Sequence, residues 1–507
     1  ISSHKKFQIR GNILSNIDIR HSGALEMLAT LPDASVDAVV SDPPSGIGFM
    51  HGVTKWDRHT AYEPKTNKGR DLMRFGSALL KPWEVGFASF IADVFGECWR
   101  VLKPGGHMLI WTLPRSSDLT TLGLRVAGFE IRDSVVHIFG SGFPKSLNVG
   151  AAIDKAAGAE RPVIGLHPRP SSTRPKLAMG DGCQPSPALT APATPAAAKW
   201  EGWGTGLKPA HEAWILCRKP LAGSVAANVL EHGTGAINVD GCRVESNGDH
   251  KRGTVKAAAT GNASSYQASL NGGLSGAGFQ ATDHPAGRWP PNLLLSHAAE
   301  CGAECAAGCP CAELGRQSGE SVGSDNIRRN SAGAMGYGGS SRDFVVRGFN
   351  DTGTAARYFP RFRYVPKPSR AEREAGCESL PPRSGAEATG RAEGSAGVDN
   401  PRAGANRTAG EVRNIHPTVK SVALMRWLAR LVTPPGGLVL DPFVGSGTTA
   451  LACIHEGFDF IGSEQSAEYV AIARARVDHA DPAGAITRRA DEDKPAPVAA
   501  NGQGRLF

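Results

Sequence analysis

Apolar and polar positions alternate in two distinct periods along this chain. The run Ser22 to Leu31 (SGALEMLATL) has apolar residues at helical spacing. It is followed by Val36 to Ser41 (VDAVVS), β-branched and apolar as a strand buried on both faces requires. Phe87 to Leu102 (FASFIADVFGECWRVL) is an amphipathic helix, and Lys103-Pro104-Gly105-Gly106 stops it before the strand HMLIWTL. Leu119 to Gly128 reads as a further helix and FEIRDSVVHIF as a strand. Near the other end, Thr418 to Leu431 predicts a helix. Leu438 to Val477 then predicts strand, glycine turn, helix, strand (FDFIGSE) and helix. Strands alternating with helices predict an α/β fold with a doubly wound, Rossmann-like sheet.

The middle of the chain lacks this regularity. His167 to Lys199 is rich in Pro, Ala and Ser, as in a flexible loop. Trp200 to Pro220 resumes order. From Leu221 to about Arg363 the pattern is irregular, with many Gly and Asn. Such loop-rich regions commonly carry recognition surfaces. Pro381 to Asn414 is poor in apolar residues and is expected to be mobile. Five segments follow: a first half-domain over 1–220 with its loop at about 167–199, an irregular region over 221–380, a linker over 381–414, a second half-domain over 415–479, and a tail over 480–507. No internal repeat is visible.

Composition sharpens this picture only in places. A chain of 507 residues is long enough for a real core. Its 62 Gly and 35 Pro agree with a folded body carrying long loops. The formal charge of +8 is compatible with a polyanionic partner without requiring one. The excess is local. Arg328, Arg329, Arg342, Arg347, Arg357, Arg361, Arg363 and Lys367 fall in one stretch, interleaved with Tyr358, Phe359, Phe362 and Tyr364. Cations beside aromatic rings suit phosphate contact and base stacking, so these are candidate DNA-binding residues. There is no signal-peptide core, membrane-spanning apolar run or lipidation motif, and the ten cysteines do not form a secreted framework. A cytoplasmic protein with reduced thiols and no membrane partner is expected.

Two signatures about 400 residues apart carry the chemistry. In the C-terminal one, LVLDPFVGSGTTA, Asp441 ends a strand and Gly445 and Gly447 open the next helix. Glycine lets the backbone pass close to a ligand, and exposed amides at a helix start favour an acidic group. Some 20 residues on, a strand ends in Glu464, where a carboxylate can accept from both hydroxyls of a ribose. Turn and acid together indicate a nucleoside cofactor. The N-terminal signature is Asp42-Pro43-Pro44-Ser45. An amine on a purine or pyrimidine ring is a weak nucleophile because its lone pair is delocalised. An aspartate and a rigidly held carbonyl can each accept one of its hydrogens, turning the lone pair toward an electrophile.

At these residues the chain resembles the amino-methyltransferases that modify adenine N6 or cytosine N4 in DNA with S-adenosylmethionine. The family's catalytic motif, Asp/Asn/Ser-Pro-Pro-aromatic, is matched by Asp42-Pro43-Pro44. Its cofactor motif, Asp-Pro-Phe-x-Gly-x-Gly, is matched by Asp441, Pro442, Phe443, Gly445 and Gly447, with Ser446 and Thr448 beside them. Its His-Pro-Thr-x-Lys motif is matched by His416, Pro417, Thr418 and Lys420, and its ribose-binding acid by Glu464. The resemblance implies that His416 to Lys420 line the methionine end of the cofactor. Catalytic motif first and cofactor motif last resembles the circularly permuted β-class, which implies one sheet made from both chain ends and an inserted target-recognition region. It implies further a flipped-out base in double-stranded DNA, adenine N6 over cytosine N4 from the aspartate at the first position, and a homodimer. A cognate restriction enzyme is not readable from the sequence. Ser45 stands where the family usually has an aromatic residue. Phe49, Trp56 or an aromatic of the recognition region could supply the stack, or hydrogen bonds could hold the base. Where many relatives have Gly-Asp before the first helix, this chain has Ser22-Gly23. Other readings are a DNA-binding protein that senses cofactor without catalysis, and methylation of an RNA base or a protein amide.

His297, Cys301, Cys305, Cys309 and Cys311 crowd into one short stretch. Zinc sites commonly use paired C-x-x-C knuckles, and the gaps here of three, three and one residue differ from that. Thiols packed in a helix or loop are expected, and no metal is assigned.

Overall fold

The computed structural model describes residues 16–45, 62–139, 146–166, 188–244, 287–297, 301, 304–306, 309–322, 327–329, 343–345, 352–362, 370–389 and 411–481. Among them a nine-stranded sheet dominates. Its strands in chain order are β1 Ile17–His21, β2 Val36–Ser41, β3 Leu102–Thr112, β4 Glu130–Ile138, β5 His211–Arg218, β6 Leu293–Ser296, β7 Arg361–Phe362, β8 Leu438–Asp441 and β9 Asp459–Glu464. Their spatial order is β1-β9-β8-β2-β3-β5-β4-β6-β7. Only β5 runs against its neighbours; the other pairings are parallel. The two chain ends therefore build one half of a common sheet, with β8 inserted beside β2 and β9 beside β1.

Both faces of the sheet are covered, which is why its central strands read as nearly continuous apolar runs. All six residues of β2 are buried. One face packs under α1 Ala24–Ala29, α2 Asn67–Gly76, α3 Pro82–Val101 and α4 Ser117–Val126, in a core containing Met27, Val39, Phe87, Ile91, Met108 and Ile110. Later helices cover the other: α5 Val422–Val432, α6 Thr448–Glu456 and α7 Ala467–Ala480, against Ala38, Val40, Leu109, Trp214, Leu428 and Phe460. Alternation along β2 sends Val39 to one core and Ala38 and Val40 to the other. Val36 joins Val39 despite its odd spacing because the register shifts between Val36 and Ala38.

Local chemistry sets the helix limits. α3 starts at Pro82, and the carboxylate of Glu84 accepts from the Lys81 amide at 2.9 Å. α5 starts four residues later than its periodicity suggests. Pro417 and Thr418 form a turn, and the Val422 amide donates to Glu372 Oε1 at 3.3 Å. α3 ends at Val101 and β3 begins at Leu102, so Gly105 and Gly106 lie within the strand rather than between helix and strand, and they are held from outside. Buried Asn228 donates to the Pro104 and Thr234 carbonyls at 2.9 and 2.7 Å. Gly105 has φ +74°, and a Cβ there would lie 2.4 Å from the Asn228 amide nitrogen.

Residues 141–210 form a separate compact unit. Part of the stretch expected to be a loop is ordered here: Ala188–Thr190 pairs with Val163–Leu166, and Pro195–Lys199 is a short helix. The organiser is Asp154, whose buried carboxylate accepts from the Ala193 and Thr194 amides at 3.0 Å and from Thr194 Oγ1 at 2.8 Å. Within the segment expected to be mobile, Gly385–Thr389 is helical and Arg383 bridges to Val412. Residues 390–410 and the tail beyond 481 lie outside the described residues.

A buried polar tie fastens the seam between the chain ends. Asp441 Oδ1 accepts from Ser41 Oγ at 2.6 Å, across 400 residues of sequence. Its Oδ2 accepts from Thr449 Oγ1 at 2.7 Å, and the Phe443 amide donates to Oδ1 at 3.0 Å. Nearby, Asp37 Oδ2 accepts from the Leu438 amide at 2.8 Å. Unpaired buried hydroxyls are costly. Asp441→Ala is expected to destabilise the fold by about 2–4 kcal/mol, and Asp441→Asn, which keeps an acceptor, by less than half of that. Urea unfolding followed by circular dichroism measures both.

Candidate active site

The site forms where β8 and β2 end side by side. After Asp441 the chain turns through Gly445 at φ +54° and Gly447 at φ +78°, both in the left-handed region. A Cβ on Gly445 would lie 2.7 Å from His416 Nε2, and one on Gly447 would meet Ala473 at 3.0 Å. The turn is therefore a bare backbone cradle packed from both sides. Arg476, buried in α7, donates to the Ser446 carbonyl at 2.5 Å and to Ser446 Oγ and Thr448 Oγ1 at 3.1 and 3.2 Å. Ser446 and Thr448 thus fix the turn from its inner side.

Glu464, at the end of β9, grips the same turn. Its Oε2 accepts from the Gly445 amide at 2.9 Å and its Oε1 from the Ser466 amide at 2.8 Å. Burial raises its pKa, against the pull of the amides of Ser466, Gly445 and Gln465. Each oxygen keeps a lone pair for another donor. Burial also pushes the Asp441 carboxyl up to about 6, although three hydrogen bonds oppose it. Asp441 faces Ser41 and Thr449 and serves the seam. Phe443 leaves the turn toward Phe90 and Phe95, at centroid distances of 6.0 and 6.4 Å.

His416 closes the cradle. Its ring meets Tyr469 edge-on at 4.7 Å, and its Nδ1 accepts from the Thr418 amide at 3.4 Å. Thr418 itself is exposed. Arg373 donates to the carbonyls of Asn414 and His416 at 3.2 and 2.9 Å, and Asn414 returns a bond to the Arg373 carbonyl at 2.8 Å.

Lys420 links this stretch to the N-terminal signature. Its Nζ lies 3.1 Å from Asp42 Oδ2, 3.8 Å from Glu212 Oε2, and 4.0 Å from the centre of the Trp111 ring. Burial raises the Asp42 pKa. Lys420 pulls it back down, and Glu212 adds to the rise. For Lys420, burial is outweighed by the two carboxylates, which raise its pKa and keep it a cation. Pro43 is buried and Pro44 exposed, so one proline anchors the turn while the other lines its open side. The Ser45 carbonyl accepts from Ser116 Oγ at 3.1 Å, fixing the end of the motif. Phe49 and Trp56 lie outside the described residues.

The basic stretch is described in part. Arg328 and Arg329 sit on the backbone ladder Ile327–Arg329 with Asp343–Val345. Arg361 opens β7 at the sheet edge and is exposed. Arg357 is held within its own turn, donating to the Thr354 carbonyl at 3.0 Å and to Tyr358 Oη at 2.7 Å. Arg342, Arg347, Arg363 and Lys367 lie outside the described residues. Sequence reasoning missed Glu212, Ser41, Thr449, Tyr469, Arg373 and Arg476. Ser41 and Thr449 had a signal, Ser41 directly before Asp42 and Thr449 within LVLDPFVGSGTTA.

Residues 391–475 match the family model described as DNA methylase. Over these residues the chain is similar to that family. The same end of the chain is 43% identical over 63 residues to the DNA adenine methyltransferase YhdJ of Escherichia coli (strain K12), covering 12% of this chain and 21% of that protein. Identity is also 43% over 63 residues to the type II methyltransferase M2.DpnII of Streptococcus pneumoniae, covering 12% of this chain and 24% of the relative. The chain thus spans less than a quarter of the curated relatives it matches. Among solved structures, the cytosine-N4-specific PvuII DNA methyltransferase superposes with a TM-score of 0.38 at 12% identity, covering 91% of this chain and 86% of that one. Among the described residues no helix is long and apolar enough to cross a membrane.

S-adenosylmethionine is the cofactor of a DNA methylase. The bare cradle at Gly445, the half-buried Glu464 carboxylate with free lone pairs, and the closing His416 ring fit such a group. Glu464→Ala removes a charged acceptor and unpairs two amides. It is expected to weaken S-adenosylmethionine binding roughly 10- to 100-fold by titration calorimetry, from about 1.5–3 kcal/mol per charged hydrogen bond.

Proposed function

We propose that this chain is a site-specific DNA methyltransferase acting on the exocyclic N6 of adenine in a base flipped out of double-stranded DNA. The observation that carries the reading is the 3.1 Å ion pair between Asp42 and Lys420. It joins the Asp42–Ser45 turn to the His416–Lys420 stretch. S-adenosylmethionine, when bound by Gly445, Gly447, His416 and Glu464, supplies a methyl group activated on a sulfonium.

The chain's own residues prepare the acceptor. Asp42 and the Pro43 carbonyl each take one hydrogen of the base amine, freeing its lone pair from the ring. Lys420 occupies one Asp42 oxygen and leaves the other for the amine. As the new N–C bond forms and the methyl–sulfur bond breaks, its electron pair staying on sulfur, the amine's surplus proton passes to water. Extruding the base costs a few kcal/mol, and phosphate contacts from exposed cations such as Arg361 help offset it. Region 221–380 is the source of target recognition in this reading, with duplex DNA as the partner.

Asp42→Ala is expected to lower methyl transfer at least about a thousandfold while S-adenosylmethionine affinity changes by less than about threefold, because positioning and chemistry are lost and the cradle is not. Mass spectrometry of nucleosides from treated DNA reads the product. N6-methyl-2′-deoxyadenosine supports the reading, and N4-methyl-2′-deoxycytidine would move it to cytosine.

The pH dependence follows from Asp42. Activity needs the carboxylate, whose raised pKa places the acidic loss of activity above the ordinary aspartate range. Lys420→Met removes the lowering influence, so activity should fail at still higher pH as the solution is acidified. Single-turnover rates across pH, with the limb unmoved in the variant, would remove Lys420 from this role.

A further inference from the structure

The cysteine-rich stretch converges in three dimensions. His297 Nδ1 and the Sγ atoms of Cys301, Cys305 and Cys309 all lie within 4.8 Å of one another. His297 Nδ1 is 3.3 Å from Cys305 Sγ and 3.7 Å from Cys309 Sγ. Ligand atoms around a tetrahedral zinc, with bonds of about 2.0–2.3 Å, stand roughly 3.5–3.8 Å apart. All three cysteines are free thiols. Simple packing of thiols in a core does not account for the arrangement, because Cys305 is exposed and still turns its sulfur toward the imidazole.

We propose that His297, Cys301, Cys305 and Cys309 bind a structural zinc ion. Three thiolates and one imidazole form a closed donor set with no position left for substrate. The surroundings suit thiolates. The Ala306 amide donates to Cys301 Sγ at 3.2 Å. Cys309 is the N-cap of the helix Pro310–Ser318, where the helix dipole favours negative charge. Spacing alone hid the site, since the ligands come from a strand end, a loop and a helix cap.

The ion has a mechanical purpose. His297 directly follows β6, so the zinc ties the sheet edge to that helix. The local apolar core is small: Leu295, Cys301, Cys309, Cys311 and Ala356, with Ile138 and Phe359 against it. Cores of this size commonly need a metal or disulfide staple. The helix in turn holds the turn Ala355–Tyr358, where the Ala355 amide donates to Ser318 Oγ at 3.0 Å. Zinc thereby fixes the segment that presents Arg361. The site stands independently of the methyl-transfer reading.

The full chain, purified under reducing conditions without chelator, should carry about one zinc per molecule by plasma mass spectrometry. Cys305→Ser and His297→Ala should each lose most of it. Cys311→Ser, whose thiol belongs to the apolar core, should retain it. Because a ligand variant could misfold, the wild type is also exchanged into cobalt, which should give the intense visible bands of tetrahedral thiolate coordination. Less than about a tenth of an equivalent of zinc in the wild type, absence of those bands, or full retention in Cys305→Ser would overturn the proposal.

Discussion

The Ser41–Asp441 hydrogen bond is the constraint on which the rest of this molecule depends. It joins residues 400 apart in a dry seam. On one side of it the chain enters the turn that presents Asp42. On the other it enters the glycine cradle. Apolar packing alone would let β2 and β8 slide along one another at modest cost. A buried carboxylate with two hydroxyl partners and an amide permits one register only, because a slip would leave several polar groups unpaired. The relative position of Asp42 and Gly445 follows from that register.

Around this seam the site keeps its charges in a deliberate imbalance. Two acids, Asp42 and Glu212, share the cation Lys420. Trp111 beneath the ammonium adds a face that tolerates the cation without competing for the carboxylates.

Much of this was legible in the sequence because it is local. Val36 to Ser41 announces a buried strand by composition. The glycines after Asp441 mark a turn by their conformational freedom, and Glu464 by its distance from them. What was hidden is non-local. Glu212 is one acid near the start of a strand whose last five residues are all buried, and the reversed direction of β5 brings it to Lys420. Asp154 gave no hint that it would order the Pro- and Ala-rich stretch it binds. The late start of α5 depends on Glu372, which lies outside the helix altogether. The convergence of His297 with three cysteines required the path of the loop. Each is a contact between distant segments that periodicity cannot encode.

The insertion of β8 beside β2 also governs the order of events at the ribosome. β2 emerges early, with six residues destined for burial. One of its two neighbours is about 400 residues away, roughly 20–80 s of synthesis at ordinary elongation rates. Throughout that interval an apolar strand has an open hydrogen-bonding edge. The nascent chain must tolerate it, with β3 supplying the other edge and α3 one face as soon as they appear. Long-range closure of this kind is slow and exposes sticky surface. In that half-made state the Asp42 turn and the glycine cradle are not yet side by side.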